Sequence, residues 1–170
     1  MRQSHSIKTL TSDYVGALNT LLLQVDLDAV ERVCEHLRRA RDRGALVFVA
    51  GNGGSAATAS HWVNDLGKAT KKSGRKPIRV IGLADNISWL TALGNDEGYE
   101  RTFSGQLENF ASEGDVLMVL SASGNSMNLV RSVELARSRG MTTIGFLGFD
   151  GGKLVHLVDE TILILSLIHI

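Results

Sequence analysis

The chain has 170 residues, 44% of them hydrophobic, which suits one domain with a substantial buried core. Lysine plus arginine and aspartate plus glutamate both number 18, so the basic excess of a nucleic-acid-binding protein is missing and we expect small-molecule partners. Cys34 is the single cysteine, which excludes an internal disulfide framework and a clustered-cysteine metal site and favours a cytoplasmic location. The polar residues 1–10 do not resemble a signal peptide, and no stretch approaches the roughly 20 apolar residues of a membrane span, so no membrane association is expected.

Two helices are predicted at the start of the chain. Between Ile7 and Leu22 apolar residues recur every three to four positions, the period of a helix with one apolar face. A second helical pattern begins near Asp26 and stops at Gly44. We expect residues 1–44 to be an oligomerisation region and residues 45–170 the ligand-binding domain, both within a single structural unit.

From residue 45 the pattern changes to short, continuous apolar runs separated by helical patterns. Five such runs are predicted to be strands: Ala45 to Ala50, Arg79 to Ala84, Val116 to Leu120, Thr142 to Leu147 and Thr161 to Leu165. Strands without polar alternation, spaced by helices, are typical of a parallel sheet covered on both faces. The sequence therefore predicts a three-layer α/β/α sandwich with a five-stranded parallel sheet. The basic segment 68–77 is predicted to be a surface loop.

A glycine-rich loop follows the first predicted strand and reads Gly51-Asn52-Gly53-Gly54-Ser55-Ala56. Glycines let backbone N–H groups approach an anion, and the helix that follows adds the partial positive charge of its N-terminus, so the loop predicts a phosphate or sugar cradle. Two alternatives remain open. The loop could be a tight turn, or Gly51-x-Gly53-x-x-Ala56 with Asp85 could be a dinucleotide fingerprint.

A serine-rich loop follows the third predicted strand and reads Ser121-Ala122-Ser123-Gly124-Asn125-Ser126. Three hydroxyls and the free amides of a helix start are donors suited to a phosphomonoester. The alternative is a helix cap made by Ser126 or Asn125 alone. A dinucleotide domain has no need of this second cradle, so the pair of loops favours a sugar phosphate and no nucleotide cofactor.

Both loops, with other ordered motifs, resemble the SIS (sugar isomerase) domain, and the phosphoheptose isomerase family in particular. The resembling segments are Gly51-Asn52-Gly53-Gly54-Ser55, His61, Leu93-Gly94-Asn95-Asp96, Gly114-Asp115-Val116, Ser121-x-Ser123-Gly124-Asn125-Ser126 and Asp150-Gly151-Gly152-Lys153. The resemblance implies a SIS fold, flavodoxin-like or Rossmann-like, and a homotetramer. It also implies interconversion of sedoheptulose 7-phosphate and D-glycero-D-manno-heptose 7-phosphate, which feeds the synthesis of heptose-containing surface polysaccharide.

The resemblance also implies roles for individual residues. The residues implied to bind the substrate are Asn52, Gly53, Gly54, Ser55, Asn95 and Asp96. Those implied to bind its phosphate are Ser121, Ala122, Ser123 and Ser126, with the backbone serving at Ala122, where a hydroxyl residue is common in the family. Because SIS folds also host regulators, the alternative function is a non-catalytic sugar-phosphate-binding or partner-binding module.

His61 and Asp65 are four residues apart in a helical pattern, so both side chains lie on one helix face. From the residues alone this is a solvated pair or two ligands of one divalent cation. The resemblance implies a divalent metal, with zinc as the candidate, bound by His61 and by Asp65, where the family has a glutamate that also transfers protons. Asp65 is therefore the predicted catalytic residue.

The family's second acid/base residue is a histidine in a C-terminal helix, preceded by a glutamine that contacts the metal. After the last predicted strand this chain ends in Ser166-Leu167-Ile168-His169-Ile170. His169 is not equated with that histidine, because too few residues separate it from the strand. We expect the last half-dozen residues to be a truncation or a non-native ending, with reduced activity of the chain as the consequence.

Overall fold

The computed structural model describes residues 6–165. It begins with two helices, α1 (Ile7–Leu23) and α2 (Leu27–Arg43), close to the predicted bounds. Side chains cap both N-termini, since the Ser6 hydroxyl accepts from Thr9 N and the Asp26 carboxylate accepts from Ala29 N. Gly44 ends α2 in the left-handed conformation, with φ of 75°, as the pattern predicted.

The five predicted strands are confirmed, and their ends shift by one or two residues. They are β1 (Leu46–Gly51), β2 (Arg79–Gly82), β3 (Val116–Ser121), β4 (Thr142–Gly148) and β5 (Glu160–Ile164). All four pairings are parallel, and the strand order is β2-β1-β3-β4-β5. The central strands β1 and β3 are almost wholly buried, which explains why they lack polar alternation.

Helices cover both faces of this sheet, so the predicted three-layer α/β/α sandwich is confirmed. The remaining helices are α3 (Gly54–Asn64), α4 (Ile87–Asp96), α5 (Ser104–Phe110) and α6 (Met127–Ser138), with 3₁₀ turns at Tyr99–Arg101 and Leu154–His156. Along β1, Val47 and Val49 face the core layer under α2 and α3, whereas Phe48 and Ala50 face the layer under α5 and α6. The two cores lie on opposite faces of one sheet.

The segment after α3 is more helical than predicted. A π-helical turn, Asp65–Ala69, continues α3, so the loop predicted at 68–77 begins only after Ala69. Within residues 6–165, none of the helices combines the length and the apolar character needed to cross a lipid bilayer.

The two N-terminal helices differ in how they pack. Helix α2 packs on the sheet through Ala29, Val33 and Ala40, all buried. Helix α1 buries no residue, and its apolar face is exposed. The exposed apolar residues of α1 are Ile7, Leu10, Tyr14, Val15, Leu18, Leu22 and Leu23. The division of the chain at residue 44 stays a prediction.

Candidate functional site

The two predicted cradle loops lie side by side at the carboxyl edge of the sheet. Strands β1 and β3 are neighbours, and Gly51 pairs with Leu120, so the loops leave the sheet at the same level. Ser55 of the first loop and Ser121 and Ala122 of the second line one pocket of about 260 Å³. This is the position at which ligands of open parallel sheets bind.

The first loop turns sharply because glycine occupies its ends. A side chain on Gly51 would lie 2.6 Å from the Ser55 carbonyl oxygen, so only glycine fits there. Gly53 takes φ of 54° and precedes α3 without a side-chain cap. Gly54 begins α3, and a side chain there would meet open space. The N-terminus of α3 therefore has no side-chain cap, and its Ser55 and Ala56 amides donate within the turn to Asn52 O and Gly53 O.

The second loop leaves its hydroxyl hydrogens free to donate. Ser121 Oγ accepts from Gly124 N at 3.0 Å, and Ser123 Oγ accepts from Asn125 N at 3.3 Å. Each hydroxyl uses a lone pair in these bonds and keeps its hydrogen. Ser126 is the N-cap residue of α6, yet its side chain makes no capping hydrogen bond. The loop therefore offers three hydroxyl donors beside the start of α6.

A third loop, residues 148–153, is hydrogen-bonded to the second loop. Asn125 Oδ1 accepts from Lys153 N at 3.1 Å, and Gly124 O accepts from Leu154 N at 3.0 Å. The Asn125 side chain therefore links the two loops, and it does not cap α6. No local pattern in the sequence indicates this contact, although both motifs are part of the family resemblance.

The structure separates the hydroxyls between two pockets. Ser121 lines the pocket beside Ser55, whereas Ser123 lines a neighbouring cavity of about 610 Å³ with Asn125, Phe149, Asp150 and Leu165. Ser126 lies at the start of α6, partly exposed. Ser121 and Ser123 of this loop therefore line two different pockets.

The side chain of Asn52 is held by residues that sequence reasoning missed. It pairs with the Asn128 amide and accepts from the Tyr99 hydroxyl at 2.8 Å. The only sequence signal was a polar residue, Asn128, inside the apolar pattern of α6.

Asn95 and Asp96 lie at the exposed last turn of α4, where the Asn95 amide donates to Asp96 Oδ1 at 2.7 Å. The chain then enters the 3₁₀ turn through Gly98, with φ of 97°. Arg101 anchors this turn by ion pairs to Glu108 and Glu97. Hydrogen bonds that Arg101 donates, first to Glu108 and then to Glu97, raise the pKa of its guanidinium above the ordinary value, which keeps it charged.

His61 and Asp65 meet on the outer face of α3 and its π turn. Their Nε2 and Oδ2 atoms are 3.2 Å apart, and the side chains are 72% and 51% exposed. Among residues 6–165 no group of three or more His, Cys, Asp or Glu side chains is arranged to hold a metal. A zinc site uses three or four protein ligands, so these two donors alone do not make one. His169 lies outside the described residues.

Comparison with known proteins identifies the family. Residues 13–148 match the SIS domain model. The chain is 39% identical to the "Probable phosphoheptose isomerase" of Thermoplasma volcanium, covering 90% of this chain and 78% of the relative. It is 43% identical to the phosphoheptose isomerase of Aliarcobacter butzleri, covering 72% of this chain but 65% of that relative.

The fold comparison agrees. The structure of a phosphoheptose isomerase from Francisella tularensis superposes with a TM-score of 0.86 at 25% identity, covering 96% of this chain and 88% of the other. The family resemblance based on the two loops is therefore confirmed, and so is the SIS fold. The chain belongs to the phosphoheptose isomerases, a family of SIS-domain isomerase enzymes.

Proposed function

We propose that this chain interconverts sedoheptulose 7-phosphate and D-glycero-D-manno-heptose 7-phosphate in the cytoplasm. The observation that carries the proposal is the meeting of two donor-rich loops, each at a helix start, at one edge of the sheet. Family membership supplies the reaction class. The names of the relatives give a phosphoheptose as the substrate class, and the family resemblance implies the particular sugar.

The phosphate end of the substrate binds to the second loop. The hydroxyls of Ser121, Ser123 and Ser126 donate to phosphate oxygens, and the Ala122 amide adds a backbone donor. The start of α6 adds a favourable partial positive charge. These are neutral donors, so they suit a phosphomonoester whose charge is only partly neutralised.

The sugar end extends along the first loop, where Asn52, the amides of Gly53 and Gly54, and Ser55 contact its hydroxyls. Asn95 and Asp96 contribute from the end of α4, the element that leads into the turn carrying Tyr99.

Isomerisation needs a base that removes a proton from C1 of the ketose and an acid that protonates the carbonyl oxygen at C2. The resulting enediol is then protonated at C2 and loses the proton of its C1 hydroxyl, which gives the aldose. Asp65 supplies one of these proton transfers. His61 lies within hydrogen-bond distance of it and orients its carboxylate. A divalent metal held by His61 and Asp65 would polarise the substrate oxygens.

We also propose that the active enzyme is a homotetramer. The apolar face of α1 is exposed over its whole length, and burying it against other subunits would release that surface from water. His61 and Asp65 are exposed and lie about two and three helical turns beyond Gly54, at the start of α3. A neighbouring subunit can therefore complete the site around them.

The test is turnover of sedoheptulose 7-phosphate, with products separated by anion-exchange chromatography. We expect an aldose heptose phosphate from the wild-type chain and about 100-fold slower formation from Asp65→Asn. Equal turnover in both would remove Asp65 from the mechanism.

The alternative, a non-catalytic sugar-phosphate-binding module, is favoured by the departure from the family's glutamate at Asp65. It predicts calorimetric binding of the sugar phosphate without turnover, and no effect of added zinc. Binding of the sugar phosphate together with its turnover would exclude the non-catalytic alternative.

A further inference from the structure

The structure assigns a positioning role to Asn128 and Tyr99: they fix the Asn52 side-chain amide so that it presents one N–H donor to an oxygen of the sugar. This inference rests on the proposed function, because it deepens the account of how the sugar end is bound. It follows from the hydrogen-bond donors and acceptors that surround Asn52, three of whose network partners, Asn128, Tyr99 and Thr102, lie outside the recognised motifs.

The network starts from Asn128, which is 1% exposed at the beginning of α6. Its Oδ1 accepts from the backbone N–H of Leu129 at 3.0 Å, and that position admits only an acceptor. Its Nδ2 faces Thr102 Oγ1 at 3.1 Å. The Thr102 hydroxyl already donates its one hydrogen to Tyr99 O at 2.8 Å, so it can only accept from Asn128. These two partners fix which end of the Asn128 amide is oxygen and which is nitrogen.

The fixed amide of Asn128 then dictates the orientation of Asn52. The two amides form a reciprocal pair, Asn52 Nδ2 to Asn128 Oδ1 and Asn128 Nδ2 to Asn52 Oδ1, both at 2.9 Å. Turning the Asn52 amide by 180° would place oxygen against oxygen and nitrogen against nitrogen. The Tyr99 hydroxyl donates to Asn52 Oδ1 at 2.8 Å. Turning the Asn52 amide would lose this hydrogen bond as well.

One hydrogen-bonding group of the Asn52 side chain has no partner within this network. Its Oδ1 has two lone pairs, which Asn128 and Tyr99 occupy. One of its two Nδ2 hydrogens is given to Asn128. The second hydrogen is the remaining polar group of a partly exposed side chain that follows β1 directly. Asn52 therefore recognises its ligand as a donor, and its target is a hydroxyl or carbonyl oxygen of the sugar.

This arrangement separates two kinds of recognition. The hydroxyls of the 121–126 loop hold the phosphate, and the Asn52 network holds the sugar. Damage to the network should thus weaken binding of a sugar phosphate and leave binding of inorganic phosphate unchanged. Replacing a residue needed only for folding would weaken the binding of both ligands alike. The ratio of the two affinities therefore distinguishes a role in sugar binding from a role in folding.

The experiment measures the Kd of sedoheptulose 7-phosphate and of inorganic phosphate by calorimetry for the wild-type chain and Tyr99→Phe. Tyr99 is 61% exposed, so losing its hydroxyl leaves the packing intact. We expect Tyr99→Phe to bind sedoheptulose 7-phosphate about 3- to 10-fold more weakly and to bind inorganic phosphate with an unchanged Kd. Ser138→Ala, which removes a hydroxyl at the far end of α6, is the matched control and should change neither.

A double-mutant cycle shows whether Tyr99 acts through Asn52. In an Asn52→Ala background, Tyr99→Phe should have no further effect on the sugar-phosphate Kd. An undiminished effect there means that Tyr99 contacts the sugar itself, which overturns the inference. Asn128→Asp, which removes the donors to Asn52 and Thr102, should reproduce the selective loss if the variant folds.

The outcomes separate this inference from the proposed function. If the wild-type chain binds sedoheptulose 7-phosphate no better than inorganic phosphate, the proposed function fails. If the wild-type chain prefers the sugar phosphate and Tyr99→Phe keeps that preference, the network has no role in recognition.

Discussion

Replacing Gly124 by alanine tests whether the phosphate loop depends on its contact with the loop at 148–153. Gly124 has φ of 63°, and an added Cβ would overlap the Gly151 carbonyl oxygen and lie 2.9 Å from Gly152 N. The obstructing atoms are backbone, so no side-chain rotation relieves the overlap, and the two loops must separate.

The expected cost has two parts. The left-handed backbone costs about 1–2 kcal/mol for a residue with a Cβ. Overpacking against the backbone of the second loop adds about 1–3 kcal/mol. The free energy of unfolding should therefore fall by about 2–5 kcal/mol. Separation of the loops also displaces Ser121 and Ser123, so the affinity for inorganic phosphate should fall about tenfold, the effect of one lost hydrogen bond.

Gly114→Ala is the matched control. Gly114 has φ of 82°, but an added Cβ there would meet open space, so only the backbone part of the cost applies. Urea unfolding gives the stability of each variant, and calorimetry with phosphate gives the affinity. The reasoning is refuted if Gly124→Ala is no less stable than Gly114→Ala and binds phosphate as well as the wild-type chain.

Three further outcomes follow from the structure. Placing charges on the apolar face of α1 with Leu10→Glu and Leu18→Glu should yield a smaller species in sedimentation; an unchanged mass would exclude α1 from the subunit contacts. Removing the buried carboxylate with Asp115→Ala leaves two backbone amides without an acceptor and should cost about 2–4 kcal/mol in urea unfolding, and a loss below 1 kcal/mol would contradict that role. Asp65→Asn should abolish most turnover yet leave the phosphate Kd unchanged; a weakened phosphate Kd would place Asp65 in the cradle instead.

Much of the fold was predictable because its signals are local. The continuous apolar runs of β1 and β3 reflect burial on both sheet faces, and the turns at Gly44 and Gly53 reflect positive φ angles. The two cradle loops were also predictable, because each combines glycine or serine with a following helix within six residues.

The contacts that orient the site were not predictable from such signals. Asn52 and Asn128 are 76 positions apart, and nothing in either segment indicates the partner. Asn125 reads as a helix cap in the sequence, but its side chain bonds to a loop 28 residues away. Sequence spacing placed His61 and Asp65 on one face but could not show that this face is exposed.

The most direct test of the account is isomerisation in heavy water. The wild-type chain is incubated in D₂O with sedoheptulose 7-phosphate, and the products are followed by NMR and mass spectrometry. Removal of a C1 proton followed by delivery of a solvent deuteron to C2 predicts an aldose heptose phosphate that carries deuterium at C2, formed far more slowly by Asp65→Asn. Sedoheptulose 7-phosphate that binds the wild-type chain yet remains unconverted and free of deuterium would contradict the proposed reaction.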